Sequence, residues 1–306
     1  MKKINLLILG NSNFDQRRLL GSLKNIKKIR YKICSKSSKA NHIDYNNYTE
    51  ALNSKPDIVY ISLSNHLHYK YAKIALLKGA HVIVDKPITP TLKEALELVK
   101  IAKKKKLLIS EATLFNYHNV FKKINKLLGG VDKLNFIQSN FNVPQTKTIN
   151  KISLTKSDCF MDMSPYAASL LRLYLNSKID NLTFYKENFL NSKNIKSFYV
   201  FAKNKKTKYF GNFSIGCEYL SQIIFSSNKK IIYINTQAFA LPSNKKIQIV
   251  IKENNKNKNI FINKDDSIRN YIEEILSSIN INNFTKFYNL VVNDAKMRNM
   301  IIKRKK

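Results

Sequence analysis

The chain has 306 residues, 44% of them hydrophobic, enough for two domains with cores of their own. Its formal charge of +34 is nearly all lysine, scattered with Asn and Ile as in an A/T-rich genome, and Arg stands only at 17, 18, 30, 172, 269, 298 and 304. That scatter argues against a nucleic-acid reader, which would gather Arg forks and aromatics, and it leaves a general attraction for anionic ligands.

Ile4 to Leu9 is a continuous apolar run and predicts a buried first strand. Met1-Lys2-Lys3 ahead of it has the charge of a signal peptide, but the apolar run is short and lacks a small-residue cleavage site. A polar turn, Gly10-Asn11-Ser12-Asn13-Phe14-Asp15, leads into a helix over 16–25 with Leu19, Leu20 and Leu23 on one side. Short strands follow at 31–34 and 57–63, then a helix over 68–78 stopped by Gly79, a strand at 81–84, a helix after the capping box Thr91/Glu94, and a strand at 107–110. Strands alternating with helices predict a parallel sheet covered on both faces, with ligands at the carboxyl ends of the strands.

Past residue 118 the rhythm changes. A helix over 119–128 stops at Gly129-Gly130, a strand spans 134–143, and an irregular stretch leads to a helix through Tyr166 to Leu175. From 182 to 262 strand-like segments alternate with polar turns at 203–206, 227–230 and 253–256, the pattern of hairpins. Two helices, near 267–279 and 284–302, close the chain. The expected fold is therefore α/β: an N-terminal Rossmann doubly wound parallel sheet (residues 1–118) plus a C-terminal α+β domain (119–306) with an open, mostly antiparallel sheet. No apolar run reaches the ~18 residues of a membrane span, so no membrane partner is expected, and none of nucleic acid. Cys34, Cys159 and Cys217 lie too far apart for a metal set or a disulfide framework; reduced thiols in a cytoplasmic protein, and no metal, are expected.

The candidate cofactor contacts fall at the predicted strand ends. The first turn is where a dinucleotide's pyrophosphate would meet backbone N–H groups. In place of G-x-G-x-x-G it reads Gly10-x-Ser12-x-x-Asp15, so Gly10, Ser12, Asn13 and Phe14 are the candidate contacts and Asp15 is an unfavourable neighbour for phosphate. After the second strand come Ser35-Lys36-Ser37-Ser38-Lys39, with no carboxylate before Asp44. Hydroxyls and ammonium groups there suit a 2′-phosphate, which favours NADP and keeps NAD as the alternative. Leu63, Asn65 and His68 at the third strand end, and Asp85 and Lys86 before Pro87 at the fourth, complete the cofactor candidates. Asp162 and Tyr166 stand one helical turn apart, and a carboxylate and a phenol near a lysine can move protons. Pro165 between them places both close to that helix's start. The plain alternative is a capping aspartate and a half-buried tyrosine.

Ser64-Asn65-His66-Leu67-His68, Gly79-Ala80-His81-Val82-Ile83-Val84-Asp85-Lys86-Pro87 and the following Thr91-Leu92-Lys93-Glu94-Ala95 resemble the Gfo/Idh/MocA oxidoreductase family, whose second motif carries Glu where Asp85 stands. Glu111 to His118 and Phe141-Asn142-Val143-Pro144 are similar to the branch with dihydrodiol dehydrogenases and nucleotide-sugar 3-ketoreductases, and Asp162-Met163-Ser164-Pro165-Tyr166 resembles its D-x-G-x-Y/H. The resemblance implies a catalytic cluster of Lys86, Asp162 and Tyr166, with Tyr166 as acid/base, hydride transfer between a nicotinamide and a sugar or nucleotide sugar, and an open C-terminal sheet that could supply a dimer surface for a homo-oligomer. The missing glycines of the first turn, and those normally ahead of Asp162, support a rival: a drifted, non-catalytic member binding a sugar or a partner protein.

Overall fold

The computed structural model describes residues 3–36, 42–145, 158–175 and 179–303. The chain forms two compact units: residues 1–113 with 268–295, and residues 114–267 with 296–306. The sequence placed 119–306 in one domain. Its pattern carried no sign that the helices after 267 return to the first unit, and a boundary after residue 118 remains a proposal.

In the first unit, β1 (Ile4–Leu9), β2 (Ile29–Cys34), β3 (Ile58–Ile61), β4 (His81–Asp85) and β5 (Ile109–Ala112) form a parallel sheet in the order β2-β1-β3-β4-β5. The inner strands β3 and β4 are buried on both faces, which is why β3 is Ile-Val-Tyr-Ile without alternation, while the edge strand β2 exposes Arg30 and Lys32. Helical segments connect them: 13–24, α2 (Tyr48–Asn53), α3 (Asn65–Leu77) and α4 (Leu92–Lys105). The first contains a π-helical stretch at Asp15–Leu19 before α1 (Leu20–Lys24). It starts earlier than the expected 16–25 because its first turn is capped from within. The short α2 was not foreseen, although its signal is readable: the Asn47 side chain accepts from the Thr49 and Glu50 amides. The Thr91/Glu94 box forms as expected, each side chain accepting from the other's backbone N–H. α7 (Ser267–Asn280) and the first part of α8 (Thr285–Lys303) lie on this unit, where Tyr271 donates to Ser110 Oγ at 2.7 Å and Tyr288 to the Leu107 carbonyl at 2.6 Å.

The second unit is built on an eight-stranded sheet in the order β13-β12-β11-β10-β6-β9-β8-β7. Its strands are β6 (Leu134–Val143), β7 (Asn181–Asn188), β8 (Ile195–Lys203), β9 (Lys208–Ile215), β10 (Leu220–Ser227), β11 (Lys230–Ile234), β12 (Ile247–Glu253) and β13 (Lys256–Ile262). All pairs are antiparallel except β6 with β9. The turns read from sequence at 203–206, 227–230 and 253–256 are the β8–β9, β10–β11 and β12–β13 hairpins. Side chains alternate, with Phe198, Val200 and Ala202 of β8 inward and Tyr199 and Phe201 more exposed. α5 (Asn119–Leu128) ends at Gly129 in the left-handed conformation, and α6 (Cys159–Tyr174) packs on β8, β9 and β6. The irregular stretch expected ahead of α6 falls largely on 146–157, outside the described residues.

Candidate active site

The strand order of the first unit reverses at β1: β2 lies on one side, β3 on the other. Such a switch point opens a crevice at the strands' carboxyl ends. Gly10 stands there with φ +121°, and a Cβ on it would come within 2.0 Å of the Ser62 carbonyl oxygen. Only glycine lets the turn after β1 lie against the end of β3.

The rest of that turn is a reciprocal box. The Ser12 amide donates to Asp15 Oδ2 at 2.8 Å, and the Asp15 amide donates to Ser12 Oγ at 3.1 Å. Ser-x-x-Asp thus caps the helix in the way that Ser-x-x-Glu does elsewhere. Ser12 Oγ lies 3.1 Å from Ser62 Oγ, Ser62 donates to Asp85 Oδ2 at 2.9 Å, and Tyr60 donates to Asp85 Oδ1 at 2.6 Å. One polar chain therefore runs across the ends of β1, β3 and β4, with a carboxylate at each side. Burial, then the nearby Asp85 charge, push Asp15 up to about 6. Burial also raises Asp85, against the Tyr60 and Ser62 hydrogen bonds and the Lys86 charge, and it raises the fully enclosed Tyr60 phenol far beyond its ordinary value. Ser62 and Tyr60 escaped sequence reading, since a buried strand shows no sign of which polar atoms its end presents.

Lys86 follows β4, half-buried, in a turn held by its backbone. Glu111 Oε2 accepts from the Ile88 amide at 2.7 Å. His68, with 0% exposure, has Nδ1 2.7 Å from the Pro87 carbonyl and Nε2 2.8 Å from the Leu63 carbonyl. Only an imidazolium can donate to both; burial lowers its pKa, with the two carbonyls and Glu111 opposing, and a neutral ring donates to one carbonyl alone. His68 reaches this position because α3 begins at Asn65, three residues before the start expected from sequence. His68 and Leu63 thus meet each other and the Lys86 turn through the interior, while Asn65 is half-buried at the N-terminal end of α3.

At the end of β2, Ser35 is buried, its amide donating to the Tyr45 carbonyl at 3.0 Å. Lys36 is exposed, its ammonium 5.0 Å from the centroid of the Tyr48 ring. Ser37 to Lys39 lie outside the described residues. Asp44 accepts from the Ile33 amide at 2.8 Å, so the first carboxylate after β2 is engaged by the strand itself. The Asn11 side chain lies 3.3 Å from His42 Nε2, which brings an imidazole to the turn that sequence spacing did not reveal. Asn13 is exposed and Phe14 half-buried at the start of the helical run.

In the second unit, Asp162 and Tyr166 stand on successive turns of α6, both half-buried. The helix starts at Cys159 and its cap is Asp158, which accepts from Met161 N at 2.8 Å and Ile195 N at 3.1 Å. Pro165 is inside the helix and not near its start, and Asp162 is not the capping residue: two turns' worth of apolar contact on β8 and β9 extends α6 ahead of the proline. The Tyr166 ring packs among Phe115, Phe141 and Phe239, with centroids at 5.7, 5.2 and 4.9 Å. Three phenylalanines from three different segments hold the ring's orientation. Asn116 Nδ2 donates to Ser169 Oγ one turn further along α6.

Among the described residues no group of three or more His, Cys, Asp or Glu could hold a metal ion, and no helix is long and apolar enough to cross a membrane. Cys34 and Cys159 are buried and Cys217 exposed, all three as free thiols.

Residues 12–113 match the family described as GFO_IDH_MocA, "Oxidoreductase family, NAD-binding Rossmann fold". This stretch is an NAD-binding Rossmann domain of that oxidoreductase family. Curated relatives of the Gfo/Idh/MocA domain include dTDP-3,4-didehydro-2,6-dideoxy-alpha-D-glucose 3-reductases from Streptomyces violaceoruber, 26% identical over 40% of this chain and 37% of the relative, and from Saccharopolyspora spinosa, 27% identical over 57% of each. The chain thus spans roughly a third to just over half of the length of these relatives. The whole chain shares its fold with KijD10, a 3-ketoreductase from Actinomadura kijaniata solved with NADP and TDP-benzene, at TM-score 0.91 and 16% identity over 100% of this chain and 98% of that one. UDP-N-acetylglucosamine 3-dehydrogenase GnnA from Acidithiobacillus ferrooxidans matches at TM-score 0.79 and 12% identity over 99% and 98%.

Proposed function

We propose that the protein is an NADP-preferring oxidoreductase that interconverts a ketone and a secondary alcohol on a nucleotide-linked sugar. The observation that carries this reading is the β1/β3 switch point, where Gly10 lies against Ser62 inside the matched Rossmann domain. The residues at the strand ends suit the chemistry of a dinucleotide: the turn after β1 for the pyrophosphate, the exposed Lys36 for a 2′-phosphate, and the half-buried Lys86 at the ligand edge of the sheet. A bound nicotinamide would supply or accept the hydride. The family resemblance and the names of the relatives support the sugar-nucleotide substrate, and the +34 charge favours two anionic ligands at once.

In this reading Tyr166 delivers its phenolic proton to the carbonyl oxygen in reduction and recovers it in oxidation. Its aromatic surround keeps the ring in one orientation, which a general acid needs. Lys86, at the ligand edge of the sheet, would stabilise negative charge that builds on a substrate oxygen. Asp162 accepts from a sugar hydroxyl. His68 and Glu111 hold the Lys86 turn through its backbone.

Single-turnover absorbance of the dinucleotide, with a panel of nucleotide-linked keto sugars, tests the reading. Tyr166→Phe is expected to slow hydride transfer about a hundredfold to ten-thousandfold while leaving dinucleotide affinity nearly unchanged. An unchanged rate would remove Tyr166 from its role. A second reading, a non-catalytic member that binds a sugar or a partner, is favoured by one observation: Asp15 already holds the Ser12 amide. Absence of dinucleotide binding together with absence of turnover would select it.

A further inference from the structure

In a dinucleotide-binding turn the backbone N–H at the second glycine position approaches the pyrophosphate. That position is Ser12 here, and its N–H is already donated to Asp15 Oδ2 at 2.8 Å. The other oxygen of that carboxylate, Oδ1, is buried with no hydrogen-bond partner among the described residues, and the residue is 1% exposed. An enclosed carboxylate with one oxygen on the anion-binding amide and one oxygen unsatisfied is an expensive way to cap a helix. We propose, on the cofactor reading above, that Asp15 is a displaceable internal competitor for the pyrophosphate, and that a dinucleotide binds by taking the Ser12 amide while Asp15 takes up a proton from solvent.

The groups around Asp15 make proton uptake the cheaper path. Asp85 faces it from the end of β4 and Tyr60 from β3, so two acids and no base of the sheet surround it; Ser62 of β3 and Ser12 of its own turn are the neutral neighbours. Arg17 and Arg18 follow it on its own helix, toward the surface. With burial and Asp85 already pushing Asp15 up to about 6, the two negative charges of a pyrophosphate alongside push it further in the same direction. The protonated acid also gains an O–H to donate, which turns a competitor into a partner for a phosphate oxygen. The serine and aspartate that replace glycines in this turn therefore link cofactor affinity to pH instead of abolishing it.

The test is calorimetric titration of the full chain with NADH, which has no 2′-phosphate to titrate, between pH 5.5 and 8.5 in pairs of buffers with different ionisation heats. Expected is uptake of a proton fraction approaching one per NADH around neutrality, and affinity that weakens by up to about tenfold per pH unit above pH 6. Asp15→Asn keeps a carbonyl oxygen for the Ser12 amide but cannot ionise. It should bind NADH with no proton uptake, with a flat profile, and more tightly than the natural protein at pH 8. The proton count on the natural protein stands even where the variant folds poorly. NADH binding without proton uptake, or the same pH profile in both proteins, overturns the competitor role and leaves the cofactor reading intact. Failure of both proteins to bind NADH or NADPH at any pH overturns the cofactor reading and this proposal with it.

Discussion

The turns after β1 and β4 end in the same sheet, and each is held by a buried carboxylate, yet the two arrangements differ in where that carboxylate sits. After β4, Glu111 and His68 take backbone atoms of Ile88 and Pro87 from the sides. After β1, Asp15 takes the Ser12 amide at the mouth of the turn itself. The first grip is compatible with a ligand and the second competes with one. Buried polar groups cost about the same to satisfy in either place; what differs is whether satisfying them uses the atoms that recognition needs.

The comparison breaks most sharply at Lys86. If the β4 turn exists to present that ammonium, Lys86→Ala should lower single-turnover hydride transfer by about a hundredfold or more, far beyond the small stability change expected from losing the Lys86 charge beside Asp85. A stability loss equal to the activity loss would make the turn a structural one. The next largest effect belongs to the β1 turn. Gly10→Ala puts a methyl against the Ser62 carbonyl in a backbone conformation that L residues rarely adopt, and should cost about 3 kcal/mol or more in urea unfolding.

Asp15→Asn gives a smaller, pH-dependent effect. Folding raises Asp15 from 3.8 to about 6, so the stability tied to its protonated form is full below pH 3.8 and is lost as pH rises through about 6. The Asn variant does not suffer that loss. Its stability relative to the natural protein should therefore improve by about 2 kcal/mol between pH 4 and pH 7.5, read as the difference of their urea curves. The smallest change is at the end of β2. Lys36→Asp should weaken NADPH about tenfold relative to NADH, because an anion replaces a cation near the 2′-phosphate. Equal loss for both cofactors would assign Lys36 to general attraction only.

How much of this was readable beforehand depends on the range of the interaction. The strands from Ile4–Leu9 to Leu134–Val143, the Thr91/Glu94 box, the Gly129 stop and the three hairpin turns are local patterns, and each stands close to where periodicity and capping put it. Helix starts were less legible. α6 begins at Cys159, ahead of the region that Pro165 suggested, because packing on β8 and β9 outweighs the cost of an internal proline. The return of α7 to the first sheet rests on Tyr271 reaching Ser110, a pair with no local signature.

The sequence by itself determined the alternation of strands and helices, the strand-end positions of Gly10, Lys86 and Asp85, and the one-turn spacing of Asp162 and Tyr166, since all of these follow from backbone periods of 2 and 3.6 residues. Only the tertiary structure decided what those positions touch. It brought Ser62 and Tyr60 to Asp85, closed the Ser12 amide with Asp15, set His68 and Glu111 on the Lys86 turn, and gathered Phe115, Phe141 and Phe239 around Tyr166. Those contacts join residues from different strands and helices, and their energies depend on burial, which a local pattern of residue types does not contain.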